Sequence, residues 1–542
     1  MNSLLLIATW AFPLAMLAAC VSPRARARMP RLLGIAPLPG LAAVLLAHDA
    51  APLVLNEGRL NLTFGLEPAA AVLLGAASLL WIVAGVYARS YMGKDPNATR
   101  FAEWWLLTLA GSLGVFVSGD LLTFYIAFAV VSLAAWGLVA HDDTPYARRA
   151  GALYLVLAVS GEIFLLLAFA LLAAYAPGYS IAIQDVVAAL PENPARHYIV
   201  PLLIAGFGLK AGLLPVHIWL PIAHPAAPMP ASAVLSGAII KAGVIGLILF
   251  LPMDPGLAGW GSVLTVIGLL TAYYAVAVGI TQTNPKTVLA YSSVSQMGGV
   301  VTILGMGMVT GTASATMAAA FLAAHHVLVK GALFLSVGVA AHSRGRRTWT
   351  LLVPAGLLAL ALGGLPFTGG ALAKLAAKAS LGDGAVSSLV TLAAAGTSLL
   401  MLHFLFRLAA TRSEGRGVQS KPGLIGPWIL MAGFALVLPW ALAPALVGLT
   451  GVDGLDPKAL WGASWPVVLG VVLVFALRRV GESLPRIPEG DLVVLGRGAR
   501  PLGKAAANMI ESAERRLHEW PVAGAALLAL AILLGATLFT HV

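Results

Sequence analysis

The sequence predicts an all-α fold, a polytopic bundle of membrane-spanning helices. Of its 542 residues, 60% are hydrophobic and only 10% are charged, and the mean hydropathy is +0.92. A soluble protein carries about 25% charged residues. Apolar runs of about 18–25 residues recur from end to end, each long enough to cross the hydrocarbon core of a bilayer as a helix. Because backbone polar groups in lipid must be satisfied internally, these runs are predicted to form a helical bundle.

The apolar runs define about sixteen predicted spans. They fall in an N-terminal region (1–102), two consecutive five-helix groups (103–251 and 259–409) and a C-terminal region (426–542). Glycine, proline and charged residues separate the runs and set their limits. In chain order the predicted spans lie at 3–21, 30–48, 68–88, 103–118, 121–140, 148–174, 200–214, 229–251, 259–281, 288–309, 315–340, 349–378, 385–409, 426–449, 462–480 and 521–540.

Positive charge is concentrated in every second loop, which sets the predicted orientation. The loops after even-numbered spans hold little more than Arg59, Arg196 and Lys458. Cytoplasmic loops carry an excess of Lys and Arg, so we expect both termini on the outer (periplasmic) side of a bacterial inner membrane. The loops after odd-numbered spans contain Arg24, Arg26, Arg28, Arg31, Arg89, Lys94, Arg100, Arg148, Arg149, Lys286, Arg344, Arg346, Arg347, Arg412, Arg416 and Lys421.

The segment 485–520 departs from the pattern of long apolar runs. It mixes charged residues with apolar ones, which is typical of a helix that lies along the cytoplasmic membrane surface. Two interpretations stay open at this point. The segment is either a solvated linker or a strut that docks on a neighbouring subunit.

Four lysines lie inside predicted spans: Lys210, Lys241, Lys330 and Lys374. A charge at the bilayer centre costs roughly 2.5–3.5 kcal/mol even on lenient scales, and such residues usually line ion or proton paths. Burial favours the neutral form of a lysine, so a buried ammonium can release its proton near neutral pH. His326 lies four residues before Lys330, on the same helix face, where an imidazole can pass a proton onward. The pattern indicates transport of protons or small cations.

The composition argues against a cofactor or a metal in this chain. Cys20 is the single cysteine, which excludes a disulfide, an iron–sulfur cluster and a thiolate zinc site within the chain. The sequence has no P-loop and no dinucleotide fingerprint, so ATP or NADH would act through partners. The histidines lack ligand spacing with carboxylates or thiols. The net charge of +11 reflects the basic loops, and no feature indicates nucleic-acid binding.

Two predicted spans contain prolines where a helix would otherwise be continuous. The interruptions lie at 210–215 and 363–370, each close to a buried lysine. Proline removes a backbone hydrogen bond, and the freed carbonyls can bind water or ions where they line a cavity. The breaks lie five spans apart, and an odd offset inverts the orientation of a repeat. Spans 4–8 (103–251) and 9–13 (259–409) are therefore predicted to be inverted-topology repeats that meet near the midplane.

Several motifs together carry a resemblance to a known family. They resemble the antiporter-like membrane subunits shared by respiratory complex I, Mrp-type cation/proton antiporters and membrane-bound hydrogenases, over roughly residues 65–410. The motifs are Asp120-Leu-Leu-Thr-Phe-Tyr, Gly208-Leu-Lys210-Ala-Gly-Leu-Leu-Pro-Val-His217-Ile-Trp-Leu-Pro221, Ala223-His224-Pro225 through Pro230 to Lys241, Lys286-Thr-Val-Leu-Ala-Tyr-Ser-Ser-Val-Ser-Gln296-Met-Gly, His326-Val-Leu-Val-Lys330 with His342, and Gly364-Leu-Pro366 through Lys374.

The resemblance implies a half-channel in each repeat, joined by a polar axis along the membrane midplane. Lys210 corresponds to the lysine of the first repeat and Lys241 to its connecting partner. His326 and Lys330 correspond to the central relay, and Lys374 to the lysine of the outward exit. Other membrane subunits of a complex are the implied partners.

One position departs from the family pattern. The family has a glutamate nine residues after the aspartate that opens span 5, where it pairs with the span 7 lysine; this chain has Ala129. Glu162, deep in the apolar span 6, is the best substitute, and a structural partner is its alternative role. His325 and His217 are further proton-path candidates, and ordinary hydrogen-bonded histidines are the alternative for both.

The residues leave several functions open. The leading hypothesis is a proton-translocating subunit energised by partner subunits, which would include a redox-driven translocase such as an NADH-quinone oxidoreductase. A second is a proton-powered subunit of an inorganic-carbon uptake complex with a cytoplasmic zinc protein. A third is a cation/proton antiporter, either an Mrp-type Na⁺/H⁺ subunit or a self-contained protein. A non-conducting scaffold is the fourth, since Ala129 removes the expected carboxylate.

Overall fold

Twenty α-helices and one β-hairpin make up the part of the chain that the computed structural model describes. All described residues belong to one compact unit, Met1–Glu489. The predicted span 521–540, and the predicted surface segment 485–520 apart from residues 487–488, lie outside the described residues. The described residues are 3–57, 60–342, 347–410, 422–450, 452–480 and 487–488.

The N-terminal part contains four helices and the hairpin. Strand β1 pairs antiparallel with β2, with Leu53 opposite Phe64. The hairpin departs from the predicted all-α fold, and its two strands have five residues each. The elements are α1 (Leu4–Ala19), α2 (Pro23–Arg28), α3 (Leu38–Leu46), β1 (Leu53–Glu57), β2 (Leu60–Phe64) and α4 (Pro68–Tyr91).

The next eight helices cover the first predicted repeat. A π-helical segment, Leu235–Ile239, connects the last two of them. The helices are α5 (Ala98–Val117), α6 (Leu121–Val139), α7 (Pro145–Ala174), α8 (Ile183–Ala188), α9 (Arg196–Ala211), α10 (Trp219–Ala226), α11 (Met229–Val234) and α12 (Lys241–Phe250).

The last eight described helices cover the second predicted repeat and the C-terminal region. They are α13 (Ala258–Gly279), α14 (Pro285–Thr310), α15 (Ser314–Ala341), α16 (Arg347–Gly363), α17 (Gly369–Leu381), α18 (Ala385–Ala410), α19 (Pro422–Val447) and α20 (Pro457–Val480).

Eleven helices in the described part are long and apolar enough to cross a membrane, or twelve if the sharply bent pair at the N-terminus is one span. The total of sixteen stays a prediction. The predicted span 30–48 is a helix of only 9 residues, α3, and a full crossing needs about 20. Pro30, Pro37 and Pro39 explain its length, because proline starts helices but interrupts their interiors. The predicted span 349–378 is two helices, α16 and α17, separated at 364–368.

Polar side chains fix where the long helices begin. Asp120 caps α6 by accepting from the backbone N–H groups of Leu122 and Thr123, both at 2.9 Å. The same carboxylate accepts from Thr63 N at 2.7 Å and so ties the hairpin to α6. Asn284 caps α14 by accepting from Lys286 N, with a proline at the first helical position. Such caps satisfy donors that a helix start leaves unpaired.

Three segments form the centre of the bundle. The most apolar 18-residue window is 100% buried in α15, and it is 94% buried in α14 and in the α11–α12 segment. The corresponding windows of α19 and α20 are only 28% and 22% buried. The polar groups in the central parts of α12, α14 and α15 are therefore enclosed by protein rather than by lipid.

Candidate functional site

A lysine and a histidine meet at the centre of the bundle. Lys241 is the first residue of α12, two residues after the end of the π-helical segment at Ile239, and His326 lies in the middle of α15. Lys241 Nζ and His326 Nδ1 are 2.9 Å apart, and both side chains are fully buried. This contact joins the two predicted five-helix groups.

Lys330 lies one turn after His326 on α15 and faces α14. Its Nζ donates to the Leu289 carbonyl at 2.8 Å and to Ser292 Oγ at 2.7 Å. Lys330 is also fully buried and lies within electrostatic reach of Lys241 and His326, which means that it is close enough for their charges to interact. Lys241, His326 and Lys330 therefore form one polar cluster, which we call the central cluster.

Lys210 lies near the end of α9, just before the break. Its Nζ donates to Tyr154 Oη at 3.0 Å, and Tyr154 in turn donates to the Ser132 carbonyl at 2.7 Å. The ammonium also lies 5.9 Å from the ring centroid of Phe128 and 5.4 Å from that of Tyr154. Gly212, in the left-handed conformation at φ 83°, ends the helix at this point.

Glu162 is the carboxylate near Lys210. It is 7% exposed and lies within electrostatic reach of Lys210. Neither carboxylate oxygen makes a hydrogen bond within the described residues, although Ser132 lies alongside. Ala129, by contrast, lines an apolar surface groove of about 420 Å³, together with Trp104 and other residues of α5 and α6. The structure thus brings Glu162, Tyr154 and Lys210 together.

Lys374 and His325 meet at the second break. Lys374, on α17, is half-buried, and its Nζ donates to the carbonyl of Gly363, the last residue of α16. His325, on α15, is buried within electrostatic reach of Lys374. Its ring packs against the start of α17, where a Cβ on Gly369 would lie 2.9 Å from His325 Nδ1. A side chain at that glycine would displace the ring.

His217 follows the first break and is fully buried. Its ring centroid lies 5.3 Å from that of Tyr274 and 6.4 Å from that of Tyr291. It therefore occupies an aromatic environment between α13 and α14. The central cluster on α12 and α15 forms separately from it.

Two buried polar residues near these sites were not identified as site residues from the sequence. Lys286 is only 7% exposed and donates to the carbonyls of Pro225 and Ala227, whereas the sequence places it in a basic loop. Tyr154 holds Lys210. Its signal in the sequence is a lone tyrosine in an otherwise apolar stretch eight residues before Glu162.

Other polar residues of the spans have structural partners. Asp120 caps α6, as described above, and Glu103 pairs with Arg26 at 2.6 Å. His403 contacts the Gln282 carbonyl at 2.8 Å. Within the residues that the structure describes, no group of three or more His, Cys, Asp or Glu side chains is arranged to hold a metal ion.

Comparison with curated proteins identifies relatives named as a hydrogenase component and as an antiporter subunit. The chain is 31% identical over 294 residues to hydrogenase-4 component B of Escherichia coli, a match that covers 51% of this chain and 43% of the relative. It is 25% identical over 419 residues to one of the Na(+)/H(+) antiporter subunits of Alkalihalophilus pseudofirmus, covering 72% of this chain and 83% of the relative. The chain therefore matches less than half of the first relative's length.

Solved structures share the fold. The Mrp complex from Dietzia sp. DQ12-45-1b superposes with a TM-score of 0.76 at 22% identity, over 100% of this chain and 63% of that one. An archaeal respiratory membrane complex, the membrane-bound sulfane sulfur reductase, superposes with a TM-score of 0.68 at 21% identity, over 87% of this chain and 99% of that one. At these identities the comparison establishes the fold alone.

The sequence profile described as "NADH:quinone oxidoreductase/Mrp antiporter, TM" matches residues 118–401. This range contains the candidate proton-path residues, and it covers more than half of the chain. Those residues are Glu162, Lys210, His217, Lys241, His325, His326, Lys330 and Lys374. The match confirms the resemblance drawn from the motifs. The chain belongs to the NADH:quinone oxidoreductase/Mrp antiporter family of multi-pass, antiporter-like membrane subunits.

Proposed function

We propose that the chain is the proton-translocating subunit of a multisubunit membrane complex. The observation that carries this proposal is the 2.9 Å contact between Lys241 Nζ and His326 Nδ1. In an N–H···N hydrogen bond one nitrogen must act as acceptor and therefore lacks a proton. The pair can thus accept a proton and pass it on. Because protein encloses the pair, bulk water does not exchange protons with it directly.

The proposed path has an inward and an outward arm around the central cluster. Lys210, with Glu162 as its carboxylate partner, serves the first arm together with His217. Lys241, His326 and Lys330 form the central relay, and His325 with Lys374 serves the outward exit. Two observations support the underlying pair of inverted repeats (103–251 and 259–409). The helices break at 212–215 and again at 364–368, and a lysine flanks each break.

The energy is proposed to come from partner subunits. The relatives are named as a component of a hydrogenase and as subunits of antiporters, which favours an assembly over a self-contained transporter. The proposed setting is a bacterial inner membrane, with the basic loops in the cytoplasm. The positive-inside rule supports this orientation.

The test compares Lys241→Met with the matched control Lys378→Met in the native complex. Lys378 is exposed near the end of α17, so its replacement leaves the buried polar residues intact. The measurement is acidification of inverted membrane vesicles by a pH-sensitive dye, with assembly checked on native gels. We expect Lys241→Met to abolish acidification and Lys378→Met to leave it unchanged. Normal acidification by an intact Lys241→Met complex would overturn the proposal.

Exchange of a monovalent cation for protons is a second candidate. Relatives named as Na(+)/H(+) and K(+)/H(+) antiporter subunits favour it. Addition of Na⁺ or K⁺ to energised vesicles would then collapse the pH gradient, whereas the gradient made by a pump without antiport would not change.

The proteins that co-purify with the tagged complex distinguish the remaining candidate functions. Redox subunits indicate a redox-driven translocase, and a soluble zinc protein indicates inorganic-carbon uptake.

A further inference from the structure

A second group of buried polar residues lies between the central cluster and the basic-loop face. His224, on α10, is fully buried. Neither of its ring nitrogens has a hydrogen-bond partner within the described residues. A buried polar group without a partner usually costs about 1–3 kcal/mol, so its presence calls for a physical explanation.

Lys286 is held next to His224. Its Nζ donates to the carbonyl of Pro225, the residue after His224, and to the carbonyl of Ala227. An ammonium has three N–H donors and a neutral amine keeps two. Lys286 can therefore give up one proton and still satisfy both carbonyls.

Lys330 also lies near His224. The His224 ring packs on Phe334 with centroids 4.7 Å apart, and Phe334 is one turn after Lys330 on α15. Lys330 donates to Leu289 and Ser292, which both lie on α14. At a rise of 1.5 Å per residue, these two residues are about 4.5 and 9 Å along the axis of α14 from Lys286. His224 is within electrostatic reach of both lysines.

One member of this group, Asp142, lies at the protein surface. Asp142 is exposed in the loop between α6 and α7 and lies within electrostatic reach of Lys286. The predicted orientation places this loop in the cytoplasm. An exposed carboxylate is thus a neighbour of a buried lysine, that lysine is a neighbour of a buried histidine, and the histidine is a neighbour of Lys330.

We propose that Asp142, Lys286 and His224 form a proton-uptake branch that delivers protons from the basic-loop face to Lys330. This inference rests on the proposed function and extends it to a route that bypasses Lys210. In each transfer the Lys286 ammonium gives a proton to the lone-pair nitrogen of His224, directly or through one water. The imidazolium then releases the proton on its other nitrogen to the neutral amine of Lys330, and Lys286 regains a proton from solvent beside Asp142.

The experiment measures vesicle acidification by the native complex carrying His224→Gln, His224→Phe or His224→Ala. His197→Gln, at an exposed histidine, is the matched control. Phenylalanine keeps the ring contact with Phe334 and therefore preserves packing without proton transfer. We expect both His224→Gln and His224→Phe to lower the acidification rate at least about ten-fold, since a positioned proton-transfer group typically contributes 10²–10⁴-fold.

Two further readouts separate proton transfer from packing. At the same imidazole concentration, acidification should rise in His224→Ala relative to His224→Phe, because only the alanine variant leaves room for the added ring. Imidazole also buffers the vesicle interior as a permeant base, and this loss is the same for both variants. Lys286→Arg should retain assembly but lose acidification, because an arginine cannot release a proton. Assembled Lys286→Arg, His224→Gln and His224→Phe complexes with wild-type rates would overturn the uptake branch. If Lys241→Met is inactive in the same experiment, the proposed function survives that result; if it is active, both fail.

Discussion

Replacement of Glu162 by glutamine tests whether this chain has moved the carboxylate partner of Lys210 from α6 to α7. Glu162 is buried and lies within electrostatic reach of Lys210. The position where the family carries a glutamate is Ala129, which lines a surface groove. Glutamine has nearly the same shape as glutamate but cannot carry a negative charge. The variant therefore removes the charge and leaves the packing.

The effects on stability and on transport should differ in sign. A buried carboxylate costs roughly 2.5–3.5 kcal/mol at the centre of a membrane, and a buried amide without partners costs about 1–3 kcal/mol. The stability of the glutamine variant should therefore lie between about 0.5 kcal/mol below and about 2.5 kcal/mol above that of the wild type. Proton translocation should fall at least about ten-fold, within the 5–150-fold range that is usual for coupling between sites.

The assay combines thermal unfolding of the purified complex in detergent with vesicle acidification. Glu192→Gln, at an exposed position, is the control, and Glu162→Asp should recover part of the rate because it restores the charge. Normal acidification in Glu162→Gln would refute the relocated partner. A loss of more than about 2 kcal/mol of stability would instead identify Glu162 as a structural residue.

Two further predictions concern the framework that positions these residues. Asp120→Ala should lower the free energy of unfolding by at least about 3 kcal/mol, because its carboxylate accepts from three backbone N–H groups and the Thr123 hydroxyl; thermal unfolding checks this, and a small loss would mean that solvent replaces the cap. Gly370→Ala should disrupt the packing of the start of α17 against α16, because its Cβ would lie 1.7 Å from the Ala361 carbonyl oxygen. Gly384→Ala, which has open space around it, is its control, and equal yields of assembled complex from both variants would contradict the prediction.

Hydropathy predicted the long spans because the bilayer imposes a length and a polarity on each helix. It was less reliable where prolines cluster. The region 30–48 has the composition of a span, but its prolines leave a helix of 9 residues. The hairpin was missed because its short strands lie between two long apolar runs, and their pairing depends on the Asp120 side chain that binds Thr63 N.

Much of the candidate site could be named from the sequence. A lysine inside an apolar span stands out by its cost alone, so Lys210, Lys241, Lys330 and Lys374 were identifiable without coordinates. Glu162 was identifiable in the same way, as a lone acid in an apolar helix. Their functional roles stay predictions until the variants above are measured.

Partners and distances were not accessible from the sequence. Lys286 looks like an ordinary loop cation, and only the packing of α14 against the end of α10 shows that it is buried and bound to two carbonyls. The same holds for His224, whose lack of partners is a property of its surroundings. The sequence by itself determined which charges enter the membrane, because that cost depends on local composition. The tertiary structure decided which of them meet, because proton transfer depends on contacts between helices that are distant in the chain.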